Sequence, residues 1–231
     1  LPVLVALLAL GMWQVERLAW KEQLLSEIAD RTTRAPVPLA QLLAATPSPD
    51  ALEYTPVQVS GRFNHDSEMF FFATHEGQSG WYVYTPLSLS SPRAPYSAII
   101  VNRGFVPFDQ RDAVTRPGSQ PDGEVTITGL ARARLSSPPS WLVPDNKPQQ
   151  REFFWKDWRT MVSISGLSFE ATVPFFVDAS AEPNAGGLPV GGVTLVNLPN
   201  NHLQYAVTWF GLAATLMVIV GVMVLRRMRG A

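Results

Sequence analysis

The chain of 231 residues contains no cysteine. That excludes disulfides, a thiol nucleophile, a thiolate copper site and attachment of a c-type haem, together with redox and copper-transfer roles that need paired thiols. Positive charge is not concentrated either. The net charge is -1 and the basic residues are interleaved with acids, so no stripe suits a nucleic acid. No serine lies in a nucleophile-elbow sequence, and no glycine-rich phosphate loop opens a helix. The 19 acids are dispersed, without a pair placed for glycoside chemistry. Histidine is scarce, with 3 in the chain. Two of them, His65 and His75, neighbour Asp66, Glu68 and Glu76 but match no compact ligand spacing, and they read as solvated loop residues.

Charge is also missing from two long stretches, and there the absence is the signal. Ala206 to Leu225 is a run of 20 residues without a charge, interrupted by polar side chains only at Thr208 and Thr215, whose hydroxyls can bond the carbonyl one turn back. At about 1.5 Å per residue the run spans roughly 30 Å, the hydrocarbon thickness of a bilayer. A buried helix of a soluble protein would show a polar face. Arg226, Arg227 and Arg229 close the run as a positive cytoplasmic boundary.

The second uncharged stretch is LPVLVALLALGMW, 13 residues from Leu1. It is short for a span, and since the sequence starts without Met we expect an apolar piece to precede it. A signal peptide has an apolar core of this length, but no small-residue cleavage site follows. The chain continues instead into the amphipathic GMWQVERLAWKEQLLSEIA, which extends the same helix into water. Two spans put both termini in the cytoplasm and the middle of the chain outside it. Glu16, Arg17, Lys21 and Glu22 cancel, so the orientation rests on the C-terminal arginines.

Between the spans the periodicity changes to that of strands. Tyr54 to Phe63, Met69 to Ala73, Trp81 to Leu87, Ser97 to Val106, Glu124 to Ala131, Thr172 to Asp178 and the short VTLVNL carry β signals. THEGQSGW reads as a hairpin loop, Asn102-Arg103-Gly104 as a bulge or tight bend, and Pro174 as a mark of an edge or first strand position. Short helices are expected at Leu39 to Ala44, behind Pro38, and around Trp155, Trp158 and Val162. The proline-rich segments between read as loops. The expected organisation is an integral membrane protein, with two transmembrane helices flanking a mostly antiparallel β domain on the extracytoplasmic side. That domain is barrel-like, because closure hides strand edges, or else an open α+β sheet. The boundaries fall at 1-22 for the first span and its extension, 23-201 for the domain, 202-226 for the second span and 227-231 for a cytoplasmic tail.

His202 stands at the start of the second span, with Tyr205 and Trp209 at spacings of three and seven on its face. An aromatic-flanked imidazole at the outer interface is either an interfacial anchor or a ligand to a metal or haem iron. Trp13, Arg17 and Trp20 share a face of the first helix, and Lys21 lies four residues after Arg17. They are either an aromatic belt with snorkelling cations or a site for an anionic group such as a lipid phosphate or a haem propionate. In the domain, Arg62, Arg103 and Arg111 are ion-pair partners or docking contacts, the latter together with Phe105, Phe108 and Trp81.

GMWQVERLAWK at 11-21, GRF at 61-63, GWYVYTPL at 80-87, VNRGFVP at 101-107 and NNHLQYAVTWFGLA at 200-213 closely resemble, in this order, the Surfeit-locus assembly-factor family. The resemblance covers nearly the whole chain. It implies an inner-membrane protein that helps assemble haem-copper cytochrome c oxidase and is not an enzyme. It is similar to the bacterial members that receive haem a and help place it in the catalytic subunit of an aa3-type oxidase. That would put this chain in a bacterial inner membrane with its domain in the periplasm. The family's haem-linked histidine matches His202 and its second-span tryptophan matches Trp209. Trp13, Gln14 and Arg17 match the signature at the end of the first span, while GRF and Asn102 to Gly104 match motifs of fold maintenance. The implied site has His202 on the iron, Trp209, Tyr205 and Trp13 around the macrocycle, and Arg17 or Lys21 near the propionates. The implied partners are the oxidase catalytic subunit, haem A synthase and membrane lipid, with the number of copies open. A scaffold that stabilises an oxidase intermediate without binding haem is the alternative, and an enzyme of haem a synthesis a third class with weaker support.

Overall fold

The computed structural model describes residues 2-45, 48-184, 186-193 and 200-229. The chain divides into two compact units, Arg31–Thr194, and Leu1–Asp30 together with Leu195–Ala231. The second of these is a helix pair. Helix α1 is Pro2–Thr32 and α5 is His202–Arg229, both long and apolar enough to cross a membrane. Their 31 and 28 residues correspond to about 46 and about 42 Å. Each exceeds a hydrocarbon layer, so each carries a polar extension: α1 continues past residue 22 to Thr32, and α5 runs through its arginines to Arg229. Most side chains on both helices are exposed in the protein alone, as expected of surfaces that face lipid. Thr208 and Thr215 donate to the carbonyls of Gln204 and Gly211 at 2.9 Å, which removes both hydroxyls from lipid.

The two helices touch along small residues. Among the described residues the buried positions are Gly11, Gln14 and Ile28 on α1 and Ala206 and Ala213 on α5. A Cβ on Gly11 would lie 2.6 Å from the ring of Phe210, so the absence of a side chain there admits the aromatic. Close packing over small residues is what holds helices together where lipid competes for apolar contact.

The other unit is built on one sheet. Its strands are β1 (Val37–Pro38), β2 (Pro56–Phe63), β3 (Met69–His75), β4 (Gln78–Arg93), β5 (Tyr96–Pro107), β6 (Val125–Ala133), β7 (Glu152–Phe153) and β8 (Thr172–Ala179). Helices α2 (Leu39–Ala44), α3 (Pro49–Leu52) and α4 (Trp158–Ile164) lie in the connections. The order is β1-β2-β6-β8-β5-β4-β3-β7, and β2 pairs β4 as well. That extra pairing closes β2, β6, β8, β5 and β4 into a ring. The ring is antiparallel except for the parallel pair β5 and β8, and β1 and β7 add two-residue parallel bridges outside it. The barrel-like form is therefore the observed one. Its inward face, including Val57, Leu87, Ile99, Val101, Val173 and Val177, is fully or almost fully buried. Across β5 and β8 a second cluster gathers Met69, Tyr84, Ile100, Phe153, Met161 and Phe176 beneath α4.

Two glycines admit close backbone approaches that a side chain would block, the first of them at the closure. A Cβ on Gly61 would lie 2.1 Å from the Ser88 carbonyl oxygen, on the pairing of β2 with β4. Gly104 has φ +124°, and a Cβ there would lie 2.0 Å from the Val190 carbonyl oxygen. Its neighbour Phe105 exchanges two backbone hydrogen bonds of 2.8 Å with Val190. The bulge read from Asn102-Arg103-Gly104 is present: the β4 register steps from Tyr82 to Tyr84 while β5 steps from Phe105 to Asn102.

Several expected elements have different limits. The hairpin over THEGQSGW is tighter than a loop, with strands meeting at a turn of Glu76 and Gly77, both at positive φ. The expected helix near Trp155 starts only at Trp158, where Asp157 caps it by accepting from the Thr160 amide at 3.1 Å. Pro174 is not on an edge. It lies in β8, between β5 and β6, where the register with β5 shifts between Ala98/Thr172 and Ile100/Phe176 and where β6 pairing ends at Phe175. A bulge leaves a ladder position without a required donor, which accommodates a residue lacking N–H. The strand expected over VTLVNL lies, beyond Val193, outside the described residues.

Candidate functional site

The polar centre of the helix pair is His202 on α5 facing Gln14 on α1. His202 Nδ1 lies 2.7 Å from Gln14 Oε1, and Gln14 is 8% exposed. An amide oxygen only accepts, so the ring donates its Nδ1–H, and in the neutral ring the lone pair is then on Nε2. Among the described residues Nε2 has no hydrogen-bond partner. The backbone amide of His202 donates to the Asn200 side-chain oxygen at 3.4 Å, at the helix start.

Around this pair the expected site residues take different positions. Trp209 is half-buried on α5, and its indole Nε1 is buried without a hydrogen-bond partner. Tyr205 and Trp13 point outward, at 53% and 51% exposure. Arg17 stacks over Trp20, its Cζ 4.0 Å from the ring centroid, and Lys21 is half-buried. The structure thus joins His202 to Gln14, a residue whose role spacing alone did not reveal, since 188 positions separate them. An orphaned indole donor, an imidazole with one nitrogen committed and the other free, flanking aromatics and two cations are a donor set that fits an amphipathic macrocycle with an iron and carboxylates.

Glu53, Glu68, Arg103, Arg116, Arg132 and Asp178 of the β unit are paired within the fold. Glu68, 5% exposed, accepts from Arg103 Nη1 at 3.2 Å and from Arg116, and His65 Nδ1 approaches it at 3.6 Å. Burial raises the Glu68 pKa, but the nearby His65 ring, the bond from Arg116 and the two guanidinium charges outweigh it and hold the carboxyl below its ordinary value. Burial also pushes Arg103 down to about 10, against the pull of Glu68. On the other side of the sheet, Asp178 bonds Asn102 at 3.1 Å and Arg132 at 2.9 Å, while Arg132 also bonds Glu53 at 2.7 Å. Lys156 sits 3.7 Å from Asp178, its pKa lowered by burial.

These contacts answer the sequence alternatives. Arg103 is an internal ion-pair partner, as is Arg111, which bonds Glu152 at 2.6 Å, whereas Arg62 is exposed. Trp81 and Phe105 are buried, and Phe108, 59% exposed, stacks on Trp81. His65 bonds the Pro121 carbonyl at 3.1 Å and His75 packs against Phe105. Among the described residues no group of three or more His, Cys, Asp or Glu could hold a metal ion.

A profile of the SURF1 family matches residues 1–214. Surfeit locus protein 1 of Homo sapiens is 37% identical over 226 residues, covering 91% of this chain and 71% of its own length. The Mus musculus protein of the same name is 36% identical over 220 residues, with coverage of 89% and 68%. A SURF1-like protein of Drosophila melanogaster is 33% identical over 223 residues, covering 89% and 69%. With two apolar helices flanking a closed β domain and a match along nearly its full length, this chain belongs to the SURF1 family of cytochrome c oxidase assembly factors, which are not enzymes.

Proposed function

We propose that the protein binds haem a transiently at the outer end of the helix pair and assists its insertion into the catalytic subunit of an aa3-type oxidase. The observation that carries this reading is the 2.7 Å bond between His202 Nδ1 and Gln14 Oε1, which leaves Nε2 as the ligating nitrogen. When bound, the haem would supply an iron able to take an imidazole nitrogen and a porphyrin whose propionates are anionic. His202 would hold the iron. Trp209, Tyr205 and Trp13 would cover the ring, and Arg17 or Lys21 would meet the propionates. The indole N–H of Trp209, unpartnered in the protein alone, would gain an acceptor. Small residues along the helix contact keep the imidazole at a fixed place, and one protein ligand allows release, which delivery requires.

In this reading the chain resides in a bacterial inner membrane, with the β unit in the periplasm and both termini in the cytoplasm. Arg226, Arg227 and Arg229 at the end of α5 support that orientation. The client subunit and haem A synthase are its partners, and lipid surrounds both helices. The test is purification in mild detergent from cells that make haem a, followed by absorption spectra of the wild type and of His202→Ala. The wild type is expected to carry haem a and the variant to lose it. Equal haem content in both would rule out the axial role.

A further inference from the structure

The β unit has a cavity of about 920 Å³ at one end. Five separate segments build it: the tip of the β4–β5 hairpin, the end of β6, the start of α4, Pro174 and Phe175 of β8, and the region of α2 and α3. Its walls are apolar. Leu52, Trp158 and Phe175 are buried with 6%, 2% and 4% exposure, and Leu43 and Tyr96 are half-buried beside them. Trp158 spends its N–H on the Val173 carbonyl at 3.0 Å, so the indole turns only carbon toward the space.

The rim is cationic. Arg93, Arg134 and Arg159 line the cavity and are exposed. Arg103, Arg111, Arg116 and Arg132 each pair with a carboxylate, but among the described residues these three do not. The acid in the lining, Asp157, is committed to Thr160, accepting from its amide at 3.1 Å and its hydroxyl at 2.6 Å. Arg134 lies 5.1 Å over Trp158 and Arg159 lies 5.7 Å over Phe169, which holds both guanidinium groups in place beside the apolar walls.

The chain leaving the wall at Leu135 and Ser136 continues to Trp141 and Leu142, 90% and 71% exposed. An apolar pair so open, five and six residues past the cavity wall and so within about 22 Å of it along the chain, has together with the unpaired arginines and the half-buried tyrosine the composition of a protein interface. A small carboxylate ligand filling the cavity would leave Trp141 and Leu142 uncovered. A polypeptide running out of the cavity is long enough to reach both.

We propose that the cavity and the loop to Leu142 dock a partner polypeptide through an acidic segment that inserts an aromatic or aliphatic side chain between Trp158 and Leu52. The carboxylates of that segment meet Arg93, Arg134 and Arg159. This rests on the assembly-factor reading for the existence of a polypeptide client and does not use the haem site.

The test uses the full chain in detergent micelles and three probes: a fluorescein-labelled peptide EEFEEL, its counterpart KKFKKL, and laurate. The acidic peptide is expected to bind, to weaken with added salt, and to lose about tenfold in affinity to Arg134→Glu/Arg159→Glu. KKFKKL is expected to prefer that double variant, and Trp141→Ala to weaken EEFEEL without changing the melting temperature. Failure of EEFEEL to bind, equal binding of the two peptides by the wild type, or displacement by laurate alone would overturn the proposal. Haem content of the double variant is expected to match the wild type. Loss of the peptide with haem retained, or the reverse, separates failure of this docking surface from failure of the haem reading.

Discussion

His202 Nδ1 donates to Gln14 Oε1 at 2.7 Å, joining the start of one membrane helix to the middle of the other. The amide settles which ring nitrogen carries the proton and which remains available, as outer partners of ligating histidines do. Gln14→Leu keeps the volume and removes the acceptor. It is expected to weaken haem retention about 10- to 100-fold, measured by titrating the purified chain and following the absorption spectrum. Unchanged retention would mean that Gln14 does not orient the imidazole.

The helix contact depends on Gly11. A side chain there meets the Phe210 ring at 2.6 Å, so Gly11→Leu is expected to destabilise the pair by about 1–3 kcal/mol. Phe210→Ala in the same chain should restore part of the loss. Thermal unfolding in detergent, followed by tryptophan fluorescence, compares the single and double variants.

Glu68 sits between Arg103 and Arg116, and all three are almost fully buried. Glu68→Gln leaves two guanidinium groups without a counter-charge and is expected to cost about 3–5 kcal/mol. The carboxyl's pKa is lower in the folded protein than in the unfolded chain. Its stabilising contribution is therefore complete above the unfolded value and is lost as pH falls through the folded one. Wild-type melting temperature should drop on acidification through that range, and the Glu68→Gln variant, already lower at neutral pH, should drop less.

Gly104 combines φ +124° with a 2.0 Å approach of any Cβ to the Val190 carbonyl oxygen. Gly104→Ala is expected to cost at least about 1–3 kcal/mol, since the strain of a positive φ adds to loss of the Phe105–Val190 bridge. Near-ultraviolet circular dichroism during thermal unfolding would show it. Gly77→Ala, at a positive φ with nothing within 4 Å, serves as the control and should cost less.

Much of the architecture is local and therefore readable in the sequence. Lipid demands an uninterrupted apolar run, so the span from Ala206 to Leu225 declared itself by composition. Alternation marks Tyr54 to Phe63 and Glu124 to Ala131, where the strands are Pro56–Phe63 and Val125–Ala133, and a proline ahead of an apolar run marks Leu39–Ala44. The Asn102-Arg103-Gly104 bulge was legible because glycine after two polar residues interrupts a β-prone run. His202 stood out as an imidazole among aromatics at a membrane boundary.

Other features exist only once the chain is folded. Nothing near Pro174 tells that its strand is central, because the bulge that excuses the missing N–H is made by register with β5. Closure of the barrel depends on Gly61 meeting Ser88 across β2 and β4, and the roles of Arg103 and Arg116 depend on the carboxylate of Glu68, which stands just ahead of β3. The partner of His202 is the sharpest instance. Sequence periodicity places side chains on a face of their own helix, whereas a hydrogen bond across 188 positions is decided by how two helices pack, and that packing runs through Gly11, Ala206 and Ala213.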